Sequence, residues 1–218
     1  AHVFVTTKVW PDRFSRQDLP RSVDESLSKL GTDYIDLLLL HWPNSRIPLE
    51  ETLDALVAVK EAGKTRHIGV SNFTTDLMQQ CIDICGQGTL INNQVEYHPF
   101  LNQDIVIRKA HDLDMVVTAY RPIAKGRVFK DKTITRIAEQ HQKSAAQVTL
   151  RWIIQQGIVA IPRSSKADHV SENFNIFDFE LSDQEMQAIG ALRGDNRLVS
   201  PSNLAPDWDK TEPVLSSR

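Results

Sequence analysis

Apolar residues along this chain follow two alternating rhythms. Short runs rich in branched and aromatic side chains alternate with longer stretches where leucine, valine and isoleucine return every three or four positions. The short runs predict strands over 3–7, 34–40, 65–70, 90–95, 115–120 and 158–162. The longer ones predict helices over 17–30, 49–62, 74–85, 103–112, 133–141, 144–156 and 166–176. A further helix opens at Ser182, where Ser182 and Glu185 have capping-box spacing and Leu181 and Met186 stand as a hydrophobic staple; Ser144 and Gln147 repeat the box. The run at 34–40 shows almost no polar alternation, as a strand buried on both faces should. It ends in Leu39-Leu40-His41-Trp42-Pro43, so an imidazole and an indole stand where the leucines stop.

Strict alternation of strand and helix predicts a parallel sheet covered by helices, in an open doubly wound fold or a closed (β/α)8 barrel. The glycine-rich turn of the open dinucleotide fold is missing, since Gly86-Gln87-Gly88 comes before a strand and lacks a third glycine. A barrel gathers its chemistry where strands end. Strand starts here are preceded by plain turn residues such as Gly31-Thr32-Asp33 and Gly63-Lys64. Strand ends are followed by Lys8, His41-Trp42, Ser71-Asn72, Glu96-Tyr97-His98, Tyr120-Arg121 and Arg163-Ser164. The expectation is therefore an α/β (β/α)8 TIM barrel, here with six of eight βα units (strands 3 to 8). Such a barrel takes about 250 residues, and the reading places two units before Ala1, because the chain opens inside a strand. Residues 1–194 would form the partial barrel and 195–218 an irregular tail packed on it. The chain is then a segment of a longer protein, or a product that needs a partner to close its sheet edges.

Composition narrows the function classes. The 218 residues carry 25 basic and 28 acidic side chains, a net charge of −3, with no basic run suited to nucleic acid or an acidic membrane surface. No apolar run approaches bilayer length. Cys81 and Cys85 have neither redox nor zinc spacing and read as free thiols of a reducing, cytoplasmic compartment. No metal is expected: His41 and His98 lack ligand spacing, and no H-E-x-x-H pattern occurs. This disfavours a metal-dependent hydrolase. Asp33 and Asp36 flank a strand start, on the wrong rim for chemistry, and read as structural.

Five segments in order, Val5-Thr6-Thr7-Lys8-Val9-Trp10, Leu39-Leu40-His41-Trp42-Pro43, Ile68-Gly69-Val70-Ser71-Asn72-Phe73, Asn93-Gln94-Val95-Glu96-Tyr97-His98-Pro99 and Ile161-Pro162-Arg163-Ser164, closely resemble the aldo-keto reductases. The tail, through Arg197-Leu198-Val199-Ser200-Pro201 and Trp208-Asp209, resembles the bacterial 2,5-diketo-D-gluconate reductase branch. The resemblance implies a (β/α)8 barrel that binds NADPH and transfers hydride to an aldehyde or ketone, with a small keto-sugar or dicarbonyl as substrate and a monomer as the working form. Of the family's catalytic tyrosine, lysine, histidine and aspartate, Lys8 matches the lysine and His41 the histidine. The other two are expected in the second βα unit, before Ala1.

A lysine ammonium favours the phenolate of a nearby tyrosine, whose ordinary pKa is about 10, and so makes it a usable acid. By itself Lys8 also reads as a strand-end lysine reaching to water, and His41 as a satisfied core histidine. The resemblance further implies that His41 orients the carbonyl, that Trp10 and Trp42 wall the substrate slot, and that Ser71, Asn72 and Gln94 contact the nicotinamide amide. Tyr120 would stack on the nicotinamide ring, and Glu172 and Asn173 would contact adenine. A barrel's last loop and a helix start favour phosphate, and Arg163 and Ser164 would grip the 2′-phosphate. His169 stands where the family usually has arginine, which makes use of NADH plausible. The competing expectation is a catalytically inactive, truncated relative that binds nucleotide or a partner.

Overall fold

The computed structural model describes residues 3–210. Ala1, His2 and 211–218, the last part of the expected tail, lie outside the described residues. Among the described residues six strands are hydrogen-bonded in chain order, β1-β2-β3-β4-β5-β6. They are β1 (Thr6–Val9), β2 (Ile35–Leu40), β3 (Thr65–Ser71), β4 (Leu90–Glu96), β5 (Val116–Tyr120) and β6 (Val159–Ile161). Helices α1 (Asp18–Leu30), α2 (Leu49–Glu61), α3 (Thr75–Cys85) and α4 (Asp104–Asp112) follow β1 to β4 in turn. After β5 come α5 (Lys132–His141) and α6 (Ala145–Ile154), and after β6 come α7 (Ala167–Phe174) and α8 (Asp183–Gly190). The described residues divide into two compact units, one of residues 3–94, 105–116 and 200–210, the other of 95–104 and 117–199.

In the first unit β1, β2, β3 and β4 pair in parallel. All six residues of β2 are buried, as its unbroken apolar run predicts. Helices α1 and α2 supply Leu19, Val23, Leu53 and Leu56 to the core around it. Asp36, the one acid within β2, is structural: its carboxylate accepts from the Val5 N–H at 2.9 Å and from Arg66 Nη1 at 2.9 Å. A buried carboxylate is tolerable only when so satisfied.

The first strand needs a correction. It runs over Thr6–Val9 rather than 3–7. Regular pairing starts at Thr6 opposite Leu37. Just before it the Val5 N–H goes to the Asp36 carboxylate and the Val5 carbonyl accepts from both Asp36 and Leu37 N–H, so a side chain takes the ladder's place there. Val3 and Phe4 have strand propensity but are exposed.

In the second unit β5 pairs with β6 in parallel, Tyr120 opposite Ile161. Both predicted capping boxes form, at Ser144 with Gln147 and at Ser182 with Glu185. The stretch Ala124–Lys130 makes 3-10 turns with Lys125 and Gly126 in the left-handed region. Trp152 is buried and stacks on Tyr97 at 5.4 Å.

Gly69 in β3 is the most closely approached glycine of the first unit. A Cβ there would sit 2.5 Å from the Asn92 carbonyl oxygen and 2.9 Å from Leu39 Cδ2. The obstacle is backbone of the paired strand, which cannot move aside without breaking the ladder. Gly69→Ala is expected to destabilise the protein by about 1–3 kcal/mol or more, as overpacking does, read as a lower midpoint in urea denaturation. An unchanged midpoint would show that the strands are not this close.

Candidate active site

Register alone sorts the predicted residues of the first unit by face. Lys8 lies opposite Leu39 and Leu39 opposite Gly69. Side chains on a strand alternate, and paired residues share a face. His41 and Ser71, two residues further on, therefore continue the Lys8 face past Leu39 and Gly69, and Trp10 continues it past Lys8. Ser71 pairs with Gln94, which joins the same row. Lys8, Trp10, His41, Ser71 and Gln94 thus come together at one end of one sheet face, although they are spread over four strands.

The contacts agree with that parity. Trp10 meets the His41 ring edge-on, with centroids 4.8 Å apart. Asn72, with φ of 64°, turns its amide back to donate to the His41 carbonyl oxygen at 3.0 Å. Ser71 Oγ donates to the Gln94 carbonyl at 2.8 Å, and the Asn72 N–H donates to the same oxygen at 2.9 Å. Ser71, Asn72 and Gln94 are all buried. Trp42 follows Leu40 on the alternate parity; it is 4% exposed and packs edge-on against Trp208, centroids 6.2 Å apart.

Electrostatics single out two of these side chains. Burial lowers the Lys8 pKa from its ordinary value. His41 is pulled down to about 4, first by burial and then by the charge on Lys8. At neutral pH the imidazole is therefore uncharged, with one N–H to donate and one lone pair. A half-buried lysine next to a neutral histidine can stabilise negative charge developing on a bound oxygen.

Beside this row lies a cavity of about 1030 Å³, also within the first unit, lined in part by Trp10, Phe14, Arg46, Phe73, Leu204 and Pro206. The tail segment that roofs it is tied down at Asp209, whose carboxylate accepts from the Thr75 N–H at 3.1 Å, at the start of α3. Trp10, 46% exposed, presents its indole toward this opening.

In the second unit Tyr120 ends β5, opposite Ile161 of β6. Its phenol is raised well above the ordinary value, first by burial and next by the charge of Glu96. It stays protonated, so its ring is a neutral aromatic face. Arg163 stands two residues past Ile161 and is exposed. Ser164 Oγ accepts from the Lys166 N–H at 3.1 Å, turning the chain into α7. His169, Glu172 and Asn173 all lie on α7, His169 exposed and the other two half-buried. Donors on a basic loop at a helix start suit a phosphate group. Among the described residues no group of three or more His, Cys, Asp or Glu side chains is placed to hold a metal ion.

Sequence reasoning placed Glu96 among the strand-end residues but gave it no role. It is buried, and its carboxylate accepts from His98 Nε2 at 2.9 Å and from the backbone N–H groups of Leu198 and Val199 at 2.7 and 2.8 Å. Only an acid at a strand end, in a run otherwise free of charge, hinted at it.

Comparison with known proteins identifies the family. The sequence profile described as "Aldo/keto reductase family" matches residues 1–193. Methylglyoxal reductase DkgB of Escherichia coli O157:H7 is 40% identical over 209 residues, covering 95% of this chain and 78% of the relative. A solved structure bearing the name 2,5-diketo-D-gluconic acid reductase B superposes with a TM-score of 0.92 at 46% identity, over 95% of this chain and 74% of the other. A variant of Gox0644 crystallised in complex with NADPH superposes with a TM-score of 0.84 at 35% identity, over 88% and 70%. With the whole row of strand-end residues present and the match running through nearly all of it, the chain belongs to the aldo/keto reductase family.

Proposed function

We propose that this protein reduces the carbonyl group of a small aldehyde or ketone, a dicarbonyl or keto-sugar, with NADPH as the reductant. The observation that carries the reading is Lys8 half-buried beside a neutral His41. Supporting it are the family itself, the methylglyoxal activity named for one relative and the NADPH bound by another.

Bound NADPH would supply the hydride. His41 would donate its N–H to the carbonyl oxygen and hold the carbonyl carbon in line. Lys8 would stabilise the negative charge that grows on that oxygen, and the alcohol would form as that oxygen takes a proton from the Lys8 ammonium, which water would then replace. Trp10 would supply an apolar wall, while Trp42, expected to do the same, is buried against Trp208 on the alternate parity and would act only as packing behind it. In the first unit Ser71, Asn72 and Gln94 would hold the carboxamide of the nicotinamide, for which neutral donors and acceptors are the right partners. In the second unit Tyr120 would present its face to the ring. Arg163 and Ser164 would take the 2′-phosphate and Glu172 and Asn173 the adenine, with His169 alongside. A histidine at that place lacks the five-donor planar fork of an arginine and would grip a phosphate less firmly, so NADH would retain some use.

Three outcomes test this. NADPH absorbance should fall when methylglyoxal is added, and Lys8→Met should slow that loss by about 100-fold or more, the scale of a lost general-acid assistance. Tight NADPH binding with no turnover would support the non-catalytic reading instead. Arg163→Ala should raise the KM for NADPH by about 10- to 100-fold, the worth of a charge-assisted contact, and leave that for NADH nearly unchanged; equal losses would show that Arg163 does not meet the 2′-phosphate.

The third is a titration. His41 should titrate by NMR near pH 4, and Lys8→Met should move it up only part of the way toward 6.5, because burial, the larger cause, remains. The sign for stability follows: an unfolded histidine binds its proton below about 6.5 while the folded one does not. His41 therefore costs nothing above that pH and erodes stability as pH falls from about 6.5 toward 4. A free-energy curve flat over that window would contradict it.

A further inference from the structure

Glu96 poses a problem that the proposed reaction does not use. Its side chain is entirely buried, and a buried carboxylate is costly unless its oxygens are satisfied. The His98 ring does not neutralise it. His98 Nδ1 accepts the Phe100 N–H at 3.3 Å, so the ring proton sits on Nε2, which faces Glu96 Oε1 at 2.9 Å. The carboxylate then meets the N–H groups of two consecutive residues, Leu198 on Oε1 and Val199 on Oε2. Two adjacent backbone donors need two acceptors side by side. A carboxylate offers that; a glutamine would turn an NH2 against one of the donors.

The surroundings make this a fastening. The Gln103 amide donates to the Glu96 carbonyl at 3.0 Å, fixing the backbone beneath the carboxylate. Just upstream of Leu198 the returning chain is pinned again, where Asn102 N–H meets the Gly194 carbonyl at 2.8 Å and Leu101 bridges Asp195. The same stretch of strand end holds Tyr120, since Tyr97 N–H donates to its carbonyl at 3.3 Å. After burial, the charges felt by the Tyr120 phenol are those of Glu96, Arg197 and Arg121. The fastened segment therefore delivers Arg197 into electrostatic reach of Tyr120.

We infer that Glu96 is a positioning residue: its carboxylate clamps segment 197–199 beside Tyr120 and so holds the wall on which the nicotinamide ring stacks. This rests on the reading of Tyr120 given above.

The experiment compares two probes, NADPH and adenosine 2′,5′-bisphosphate, which shares the adenine and phosphate end but has no nicotinamide. Glu96→Gln should weaken NADPH about tenfold, the scale of one lost charged hydrogen bond, and leave the bisphosphate within about twofold. A merely structural role would weaken both or neither. Residue-resolved amide exchange on the unaltered protein is the second measurement and does not depend on the variant folding: Leu198 and Val199 should exchange as slowly as Ala119 inside β5, and more slowly still with NADPH bound. Fast exchange at those two amides, no added protection with NADPH, or equal effects on the two probes would overturn the inference. Tyr120→Leu separates the failures. If it leaves NADPH affinity unchanged, the cofactor reading falls and this inference with it; if it weakens NADPH while Glu96→Gln does not, only the role of Glu96 falls.

Discussion

Parallel pairing of β1, β2 and β3 in one fixed register is the constraint on which the candidate site depends. Lys8 opposite Leu39, and Leu39 opposite Gly69, set which side chains share a face. A slip of one residue in any strand would turn that strand's contribution to the opposite face. Two features hold the register. The first is Asp36, whose buried carboxylate meets both the Val5 N–H and Arg66 only in this alignment. The second is Gly69, where the absence of a Cβ admits the Asn92 carbonyl and Leu39. The chemistry at the strand ends inherits its geometry from packing several residues below it.

Two buried carboxylates show how the same physical problem serves different ends. In the first unit Asp36 accepts from Val5 N–H and from Arg66 and ties down a strand start. In the second unit Glu96 accepts from His98 and from two consecutive backbone amides and ties down a returning segment at a strand end. Each is tolerated because its oxygens are met by donors, and each would be destabilising without them. The Lys8 and His41 pair follows the opposite rule: one group keeps its charge, and burial with that charge keeps the other neutral. A site meant to receive developing negative charge gains from a positive group and a neutral donor, where two cations would repel.

Much of this was legible in the chain. Helical and strand periodicities, the glycines at 31 and 63, and the capping boxes at Ser144 and Ser182 are local features whose physics acts within a few residues, and they foretold the alternating elements and their order. The unequal chemistry of strand starts and strand ends singled out Lys8, His41, Ser71 and Gln94, and within the first unit the parallel register sets these four on one face. Even the structural reading of Asp36 needed only its place at a strand start.

What tertiary structure alone decided involves partners far apart along the chain. The first strand begins at Thr6 because the Asp36 carboxylate, 31 positions away, takes the Val5 N–H, which no propensity of Val3 and Phe4 could reveal. The His41 pKa is set by burial and by Lys8, the Trp10 ring reaches His41 only through the β1–β2 register, and Asp209 meets Thr75 across 134 positions. Glu96 is the clearest case, since its backbone donors lie 102 and 103 residues downstream. Short-range backbone preferences are written in neighbouring residues, whereas burial, charge and hydrogen-bond satisfaction depend on which distant segments fold together, and that is determined only when the chain has closed upon itself.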